Sequence, residues 1–125
     1  MYRVAVRRDF IAQHYLIGGD WGAENQPHSH HYQAELQLQG NQLDEHGFLV
    51  DIGAIEQHLG ELIDSFCDQT LNDRPEFNGL NPSLERFAHI LCQELNTRLG
   101  MSNLQALTLT LWENELAWAS FRLER

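Results

Sequence analysis

Three histidines lie on the apolar face of two predicted strands, and this placement constrains the fold more than any other feature of the chain. Alternate side chains of a β-strand share one face. The first strand carries His14 on the same side as Val4, Val6, Phe10 and Ala12. The second carries His28 and His30 on the same side as Tyr32, Ala34, Leu36 and Leu38. Burying imidazoles beside aliphatic groups is unfavourable unless each ring finds a partner, and one divalent cation would serve all three.

The pattern therefore predicts a metal site. If the two strands pair antiparallel across the loop of residues 18–27, residues whose numbers sum to the low forties face each other, which places His14 near His28 and His30. Three protein ligands leave a fourth position open, as in catalytic zinc sites, and imidazole nitrogens suit zinc among the divalent ions. The alternative is an unmetallated cluster in which each imidazole has its own hydrogen-bond acceptor.

The hydrophobic periodicity predicts the element order β-β-α-α-β-β. Strand-like alternation covers residues 2–15, 30–39, 107–112 and 117–123. Between the second and third strands, Asp51 is a predicted N-cap of one helix, and Ser83 opens a second helix that Gly100 closes. We expect a single α+β domain over residues 1–125, with an antiparallel sheet and both helices on one face.

Charge and hydropathy exclude several function classes. The net charge of -10 and the lack of a basic cluster argue against general nucleic-acid binding. All the basic residues are arginines; Arg3, Arg7 and Arg8 could grip a phosphate, or they could be solvated charges on a strand. No apolar run is long enough to span a bilayer, and the N-terminus lacks the apolar segment of a signal peptide. We therefore expect a cytoplasmic protein without a membrane partner, with Cys67 and Cys92 as reduced thiols.

A carboxylate ends the apolar face of the third strand. Glu113 continues the parity of Leu107, Leu109 and Leu111. A buried acid at that position needs hydrogen-bond donors, and the ring N–H groups of a bound heterocycle could provide them.

These residues resemble the 6-pyruvoyl-tetrahydropterin synthase family, which includes the 6-carboxy-tetrahydropterin synthases of queuosine biosynthesis. The similar motifs are residues 10–14, 28–32, 47–52, 71–72 and 81–85, together with Glu113. The resemblance covers nearly the whole chain. It implies the tunnelling fold, in which subunits join their sheets into a β-barrel and typically form homohexamers with active sites at subunit boundaries.

The resemblance also implies a site. His14, His28 and His30 would bind Zn²⁺, and Glu113 would bind the pterin ring of a dihydroneopterin triphosphate-like substrate. Where typical members carry a cysteine four residues before their His-Gly-His motif, this chain has Glu24. A branch of the family also has Glu there, which implies cleavage of the substrate side chain to 6-hydroxymethyl-dihydropterin, with Glu24 as general base. A solvated surface glutamate is the alternative.

A second departure concerns the proton relay. Typical members have an Asp-His pair shortly before Leu-Asn, where this chain has Cys67 and Asp68. The imidazole of that relay is missing, and Asp68 is either its remaining member or an incidental residue at the helix end. We predict a zinc-dependent pterin lyase of folate or queuosine biosynthesis. The alternatives are 6-carboxy-tetrahydropterin synthesis, or a pterin-binding or metal-binding homologue that has lost catalysis.

Overall fold

The structure, a computed structural model, describes residues 1–125 as a four-stranded antiparallel sheet and two helices. The strands are β1 (Tyr2–His14), β2 (His28–Gly40), β3 (Ala106–Trp112) and β4 (Trp118–Glu124), and the helices are α1 (Ile52–Phe66) and α2 (Leu84–Arg98). Short 3₁₀ turns occupy Gly22–Asn25, Leu71–Asp73 and Pro75–Phe77. The sheet order is β1-β2-β3-β4. The predicted order of elements is thus confirmed.

The register of β1 against β2 brings the two strand ends that carry histidines together. Facing residues have numbers that sum to 42, so His14 faces His28 and Ala12 faces His30. This is the register predicted from the apolar alternation, since a shift by one residue would turn the apolar set of one strand to the wrong face. β2 begins at His28, two residues before the predicted start, because His28 still pairs with His14.

Both helices begin at the predicted caps. The Asp51 carboxylate accepts hydrogen bonds from the N–H groups of Gly53 and Ala54, and the Ser83 hydroxyl accepts from the N–H of Arg86. These bonds satisfy amide donors that have no partner within the first turn of a helix. The C-cap of α1 is Cys67, and Asp68 then adopts a left-handed conformation with φ 59°.

Both helices cover the same face of the sheet. α1 packs against β1, and α2 packs against β3 and β4. The core between these layers buries apolar side chains from every strand but β4, whose Phe121 and Leu123 pack at its margin. The opposite face carries polar side chains, among them Gln33, Glu35 and Thr110. No helix of this fold combines the length and apolar character that a bilayer crossing requires.

Candidate metal centre

The three predicted histidines form one cluster where β1 ends and β2 begins. The ring centroids of His14 and His28 are 4.6 Å apart, those of His14 and His30 are 4.8 Å apart, and those of His28 and His30 are 4.9 Å apart. One nitrogen from each ring lies within 4.8 Å of the other two. His14 is buried at 6% relative exposure. The cluster therefore offers three nitrogens at a spacing that a single cation could bridge.

Two of the rings are oriented by main-chain carbonyl groups. His14 Nδ1 lies 3.2 Å from the carbonyl oxygen of Pro82, and His28 Nδ1 lies 2.8 Å from that of Gln26. Because a carbonyl oxygen can only accept, each Nδ1 carries the proton and donates it. The Nε2 atoms of His14 and His28 are then unprotonated and can bind a metal, the arrangement found in most histidine metal sites.

Two buried nitrogens of the cluster have no hydrogen-bond partner. They are Nε2 of His28 and Nε2 of His30. A Glu113 carboxylate oxygen lies 3.2 Å from His30 Nε2, but outside the geometry of a hydrogen bond. A buried polar atom without a partner is unfavourable, and a divalent cation among the three rings would satisfy both. The residues present thus fit a divalent cation.

Burial favours the neutral imidazole of His14 and of His30. It lowers the pKa of His14 to about 4, with the charges of His30 and His28 acting in the same direction. Burial also lowers the pKa of His30, and the nearby Glu113 carboxylate partly offsets that decrease. Neutral imidazole is the form that binds metal ions, so both residues are ready to bind one at neutral pH.

The predicted Glu113 lies beside this cluster, immediately after β3. Its main-chain N–H donates to the carbonyl of Ala117, which closes the turn into β4. Glu113 and His30 share a cleft of about 650 Å³ with Trp112 and Asn114. The cleft opens where β2 continues beyond the end of β3, since the pairing of the two strands stops at Gln33 and Trp112.

The structure places Glu24 at the surface near the cluster. Glu24 belongs to the 3₁₀ turn Gly22–Asn25 and is exposed. Its side chain has no hydrogen-bond partner, and its charge is close enough to act on the pKa of His30, though less strongly than burial.

Asp68 is not part of this cluster within one chain. Its carboxylate contacts the Cys67 thiol at 3.8 Å, and its main-chain N–H donates to the carbonyl of Ile11. The thiols of Cys67 and Cys92 are both free.

The N-terminal arginines do not form one anion site. Arg7 lines the cleft, but its guanidinium is paired with Glu35 at 2.7 Å and lies over the ring of Trp112. Arg8 lies across α1 and pairs with Asp64 at 2.8 Å. These contacts favour the interpretation that both side chains are solvated surface charges, Arg7 on the polar face of the sheet and Arg8 beside α1.

The profile of the 6-pyruvoyl tetrahydropterin synthase family matches residues 3–124. The chain belongs to this family. A comparison with curated proteins gave no match.

Solved structures of the same family share the fold at low sequence identity. A 6-pyruvoyltetrahydropterin synthase from Plasmodium vivax, in a variant whose catalytic glutamate is replaced by alanine, is 12% identical with a TM-score of 0.82, covering 99% of this chain and 98% of that one. The synthase from Caenorhabditis elegans is 21% identical with a TM-score of 0.77, covering 100% and 97%. A dihydroneopterin aldolase from Burkholderia thailendensis bound to guanine is 8% identical with a TM-score of 0.52, covering 99% and 89%. The chain has the tunnelling fold of these proteins.

Several residues of this pterin synthase family member that shape the site were not predicted from the sequence. The hydroxyl of Tyr32 lies 3.3 Å from His14 Nδ1. The side-chain amides of Asn72 and Asn81 bind the main chain just after His14, at Tyr15 and Ile17. Their only signal in the sequence was their place within the motifs that resemble the family, because a contact between distant loop residues has no periodicity.

Proposed function

We propose that this protein is a zinc-dependent pterin lyase that cleaves the side chain of dihydroneopterin triphosphate, or a close analogue, to give 6-hydroxymethyl-dihydropterin. The observation that carries the proposal is the pair of buried, unpartnered Nε2 atoms of His28 and His30 beside the Glu113 carboxylate. Three candidate metal ligands thus lie next to one anionic acceptor, and His30 and Glu113 line the same cleft. Family membership supports a pterin as the substrate class.

His14, His28 and His30 are the proposed zinc ligands. When bound, zinc would act as a Lewis acid that lowers the pKa of a substrate hydroxyl group. The carbonyl groups of Pro82 and Gln26 hold two of the rings with Nε2 toward the cluster, so little reorganisation accompanies metal binding.

Glu113 is the proposed pterin-binding residue. An ionised carboxylate accepts two parallel hydrogen bonds, and the amino group and adjacent ring N–H of a pterin present two donors side by side. Guanine has the same pair of donors, and the dihydroneopterin aldolase that shares this fold is bound to guanine. A pterin held at Glu113 would lie beside the histidine cluster, because the Glu113 carboxylate lies 3.2 Å from His30 Nε2.

Glu24 is the proposed general base. In the cleavage it takes the proton of the 2′-hydroxyl, the C1′–C2′ bond breaks, and C1′ then receives a proton. The products are 6-hydroxymethyl-dihydropterin and a two-carbon aldehyde that carries the triphosphate, so no oxidant or reductant is required. The Glu24 carboxylate has no hydrogen-bond partner, and its charge raises the pKa of His30, which is consistent with this role. The Plasmodium vivax structure with a replaced catalytic glutamate supports a glutamate in this family's chemistry.

Asp68 requires a second subunit for a catalytic role, because within one chain its carboxylate contacts only Cys67. We propose a homohexamer with sites at subunit boundaries, in which Asp68 serves the histidine cluster of a neighbouring chain. Sheet edges are consistent with assembly: the outer edge of β4 has no strand partner, and such edges pair readily with other chains.

Product analysis tests the proposal. The zinc-loaded protein is incubated with dihydroneopterin triphosphate, and release of 6-hydroxymethyl-dihydropterin supports it. A 6-carboxy product identifies a 6-carboxy-tetrahydropterin synthase instead. Tight binding without turnover identifies a homologue that has lost catalysis, an outcome that the absence of an imidazole at residues 67–68 favours.

Two variants then test the base. Glu24→Gln keeps the shape of the side chain but cannot accept the proton, so we expect kcat to fall about 100- to 10,000-fold. Glu45→Gln is the matched control, because Glu45 is also an exposed glutamate and pairs only with the neighbouring His46. Equal turnover by Glu24→Gln and the control would show that Glu24 is not the base.

A further inference from the structure

Beyond His14, side-chain amides replace main-chain groups as the hydrogen-bond partners along the outer edge of the chain that continues β1. Up to Gln13, main-chain groups of residues 68–70 line this edge: the N–H of Asp68 donates to the carbonyl of Ile11, and the N–H of Gln13 donates to the carbonyl of Gln69. Beyond His14 no main-chain group forms hydrogen bonds on that side. The side chains of two asparagines form them instead.

Each asparagine binds both main-chain groups of a single residue. Asn72 accepts from the N–H of Tyr15 at 3.0 Å and donates to its carbonyl at 2.9 Å. Asn81 accepts from the N–H of Ile17 at 3.2 Å and donates to its carbonyl at 3.3 Å. We call this pair of contacts the amide ladder. It reproduces the bonding of a neighbouring strand, so the chain on both sides of His14 is fixed.

Asn81 also connects this ladder to the orientation of His14. The next residue in the chain is Pro82, whose carbonyl oxygen accepts from His14 Nδ1 at 3.2 Å. The carbonyl of Asn81 itself accepts from the N–H of Ser83 and from the guanidinium of Arg86. Residue 81 is thus held through its side chain on one side and its main chain on the other, and Pro82 is held between β1 and α2.

We propose that Asn81 is a positioning residue for the metal centre: by clamping Ile17 it holds the Pro82 carbonyl against His14 Nδ1 and keeps Nε2 of His14 free to bind the metal. The inference rests on the proposed metal centre. The Tyr32 hydroxyl, 3.3 Å from the same nitrogen, is a weaker second acceptor that cannot replace the carbonyl, because a hydroxyl can also donate and so accommodates the opposite tautomer.

The test compares variants of two asparagines whose side-chain amides form similar hydrogen bonds to the main chain. Asn81→Asp keeps the acceptor but cannot donate to Ile17, and Asn81→Ser removes both bonds without adding a charge. Asn103→Asp is the matched control: Asn103 Nδ2 donates to the carbonyls of Leu49 and Gln42, a similar loop clamp with no contact to the histidines. Folding of each variant is checked by circular dichroism and thermal melting.

Zinc affinity, measured by competition with a chromophoric chelator, is the first readout. We expect both Asn81 variants to bind zinc about 10- to 100-fold more weakly than the parent, with an altered visible spectrum after Co²⁺ substitution. The control should lose thermal stability yet keep the parent's affinity and spectrum. An Asn81 variant with the parent's affinity and Co²⁺ spectrum would overturn the inference.

The second readout needs no metal. Long-range ¹H–¹⁵N spectra of chelator-treated protein report which nitrogen of His14 carries the proton. The parent should show the Nδ1–H tautomer, and the Asn81 variants should show a mixture of both. An unchanged tautomer would overturn the inference. Failure of the parent to bind zinc would contradict the proposed metal centre, and the tautomer of His14 would still show whether Asn81 orients its ring.

Discussion

The Nδ1 atom of His28 donates to the carbonyl oxygen of Gln26, two residues earlier in the chain, at 2.8 Å. His14 Nδ1 donates in the same way to the carbonyl of Pro82. Both acceptors are main-chain groups, so no side-chain substitution removes them directly. The orientation of the proposed ligands therefore depends on the folding of the loops that carry Gln26 and Pro82.

Replacing Glu113 should weaken pterin binding. Glu113→Gln keeps the size of the side chain but loses the charge and one acceptor, and hydrogen bonds to charged groups contribute about 1.5–3 kcal/mol. We expect the dissociation constant of a dihydropterin to rise roughly 10- to 100-fold. Fluorescence titration measures it. Glu115→Gln, in the same cleft, is the control, and equal affinities of the two variants would contradict the role of Glu113.

The pH dependence of stability should carry the signature of His14. Its pKa in the folded, metal-free protein is about 4, below the 6.5 of an unfolded histidine. Between these values the unfolded chain binds a proton that the folded chain does not, so stability decreases as the pH falls from 6.5 to about 4. Urea denaturation across this range should show that the free energy of unfolding changes less steeply with pH in His14→Asn than in the parent. Parallel curves would contradict the lowered pKa.

Phe87 should be the most sensitive core position. It is fully buried. Its ring contacts four other rings, those of Phe10, Tyr32, Phe66 and Phe77. Phe87→Ala should lower the free energy of unfolding by about 3–5 kcal/mol, through lost burial and the cavity left behind. The exposed Phe48 provides the control, since Phe48→Ala should change the free energy of unfolding by no more than about 0.5 kcal/mol. Denaturant unfolding measures both.

Mixed assemblies should test the role of Asp68. If its carboxylate serves a neighbouring chain, assemblies that combine Asp68→Ala and His28→Ala subunits contain some sites with both residues intact. We expect each variant alone to be inactive and the mixture, after dissociation and reassembly, to regain part of the parent's kcat. A mixture as inactive as its components, or full activity of Asp68→Ala alone, would contradict this role.

The sequence allowed prediction of the parts of the structure that follow from periodicity. The alternation in β1 and β2 predicted the register that brings His14 to His28, because a slip would bury polar side chains. The caps at Asp51 and Ser83 predicted where both helices begin. Parity predicted that Glu113 ends the apolar face of the third strand, and in the structure its carboxylate lies 3.2 Å from His30 Nε2.

What the sequence did not allow were contacts made between loops. Asn72 binds a residue that lies 57 positions earlier in the chain, and Asn81 binds one that lies 64 positions earlier. No local sequence pattern predicts such contacts. The carbonyls of Pro82 and Gln26 are main-chain groups, which every residue possesses. Residue type therefore does not identify them as the hydrogen-bond acceptors of the histidines. The place of Asp68 depends on a left-handed φ after α1, which the sequence did not indicate.

Zinc titration of chelator-treated protein is the decisive test of the metal centre. We expect saturable binding of one zinc ion per chain, lost in His28→Ala and kept in His31→Ala, whose imidazole pairs with Asp9 on the exposed face. Absence of saturable binding by the parent, or unchanged binding by His28→Ala, would contradict the proposed metal centre.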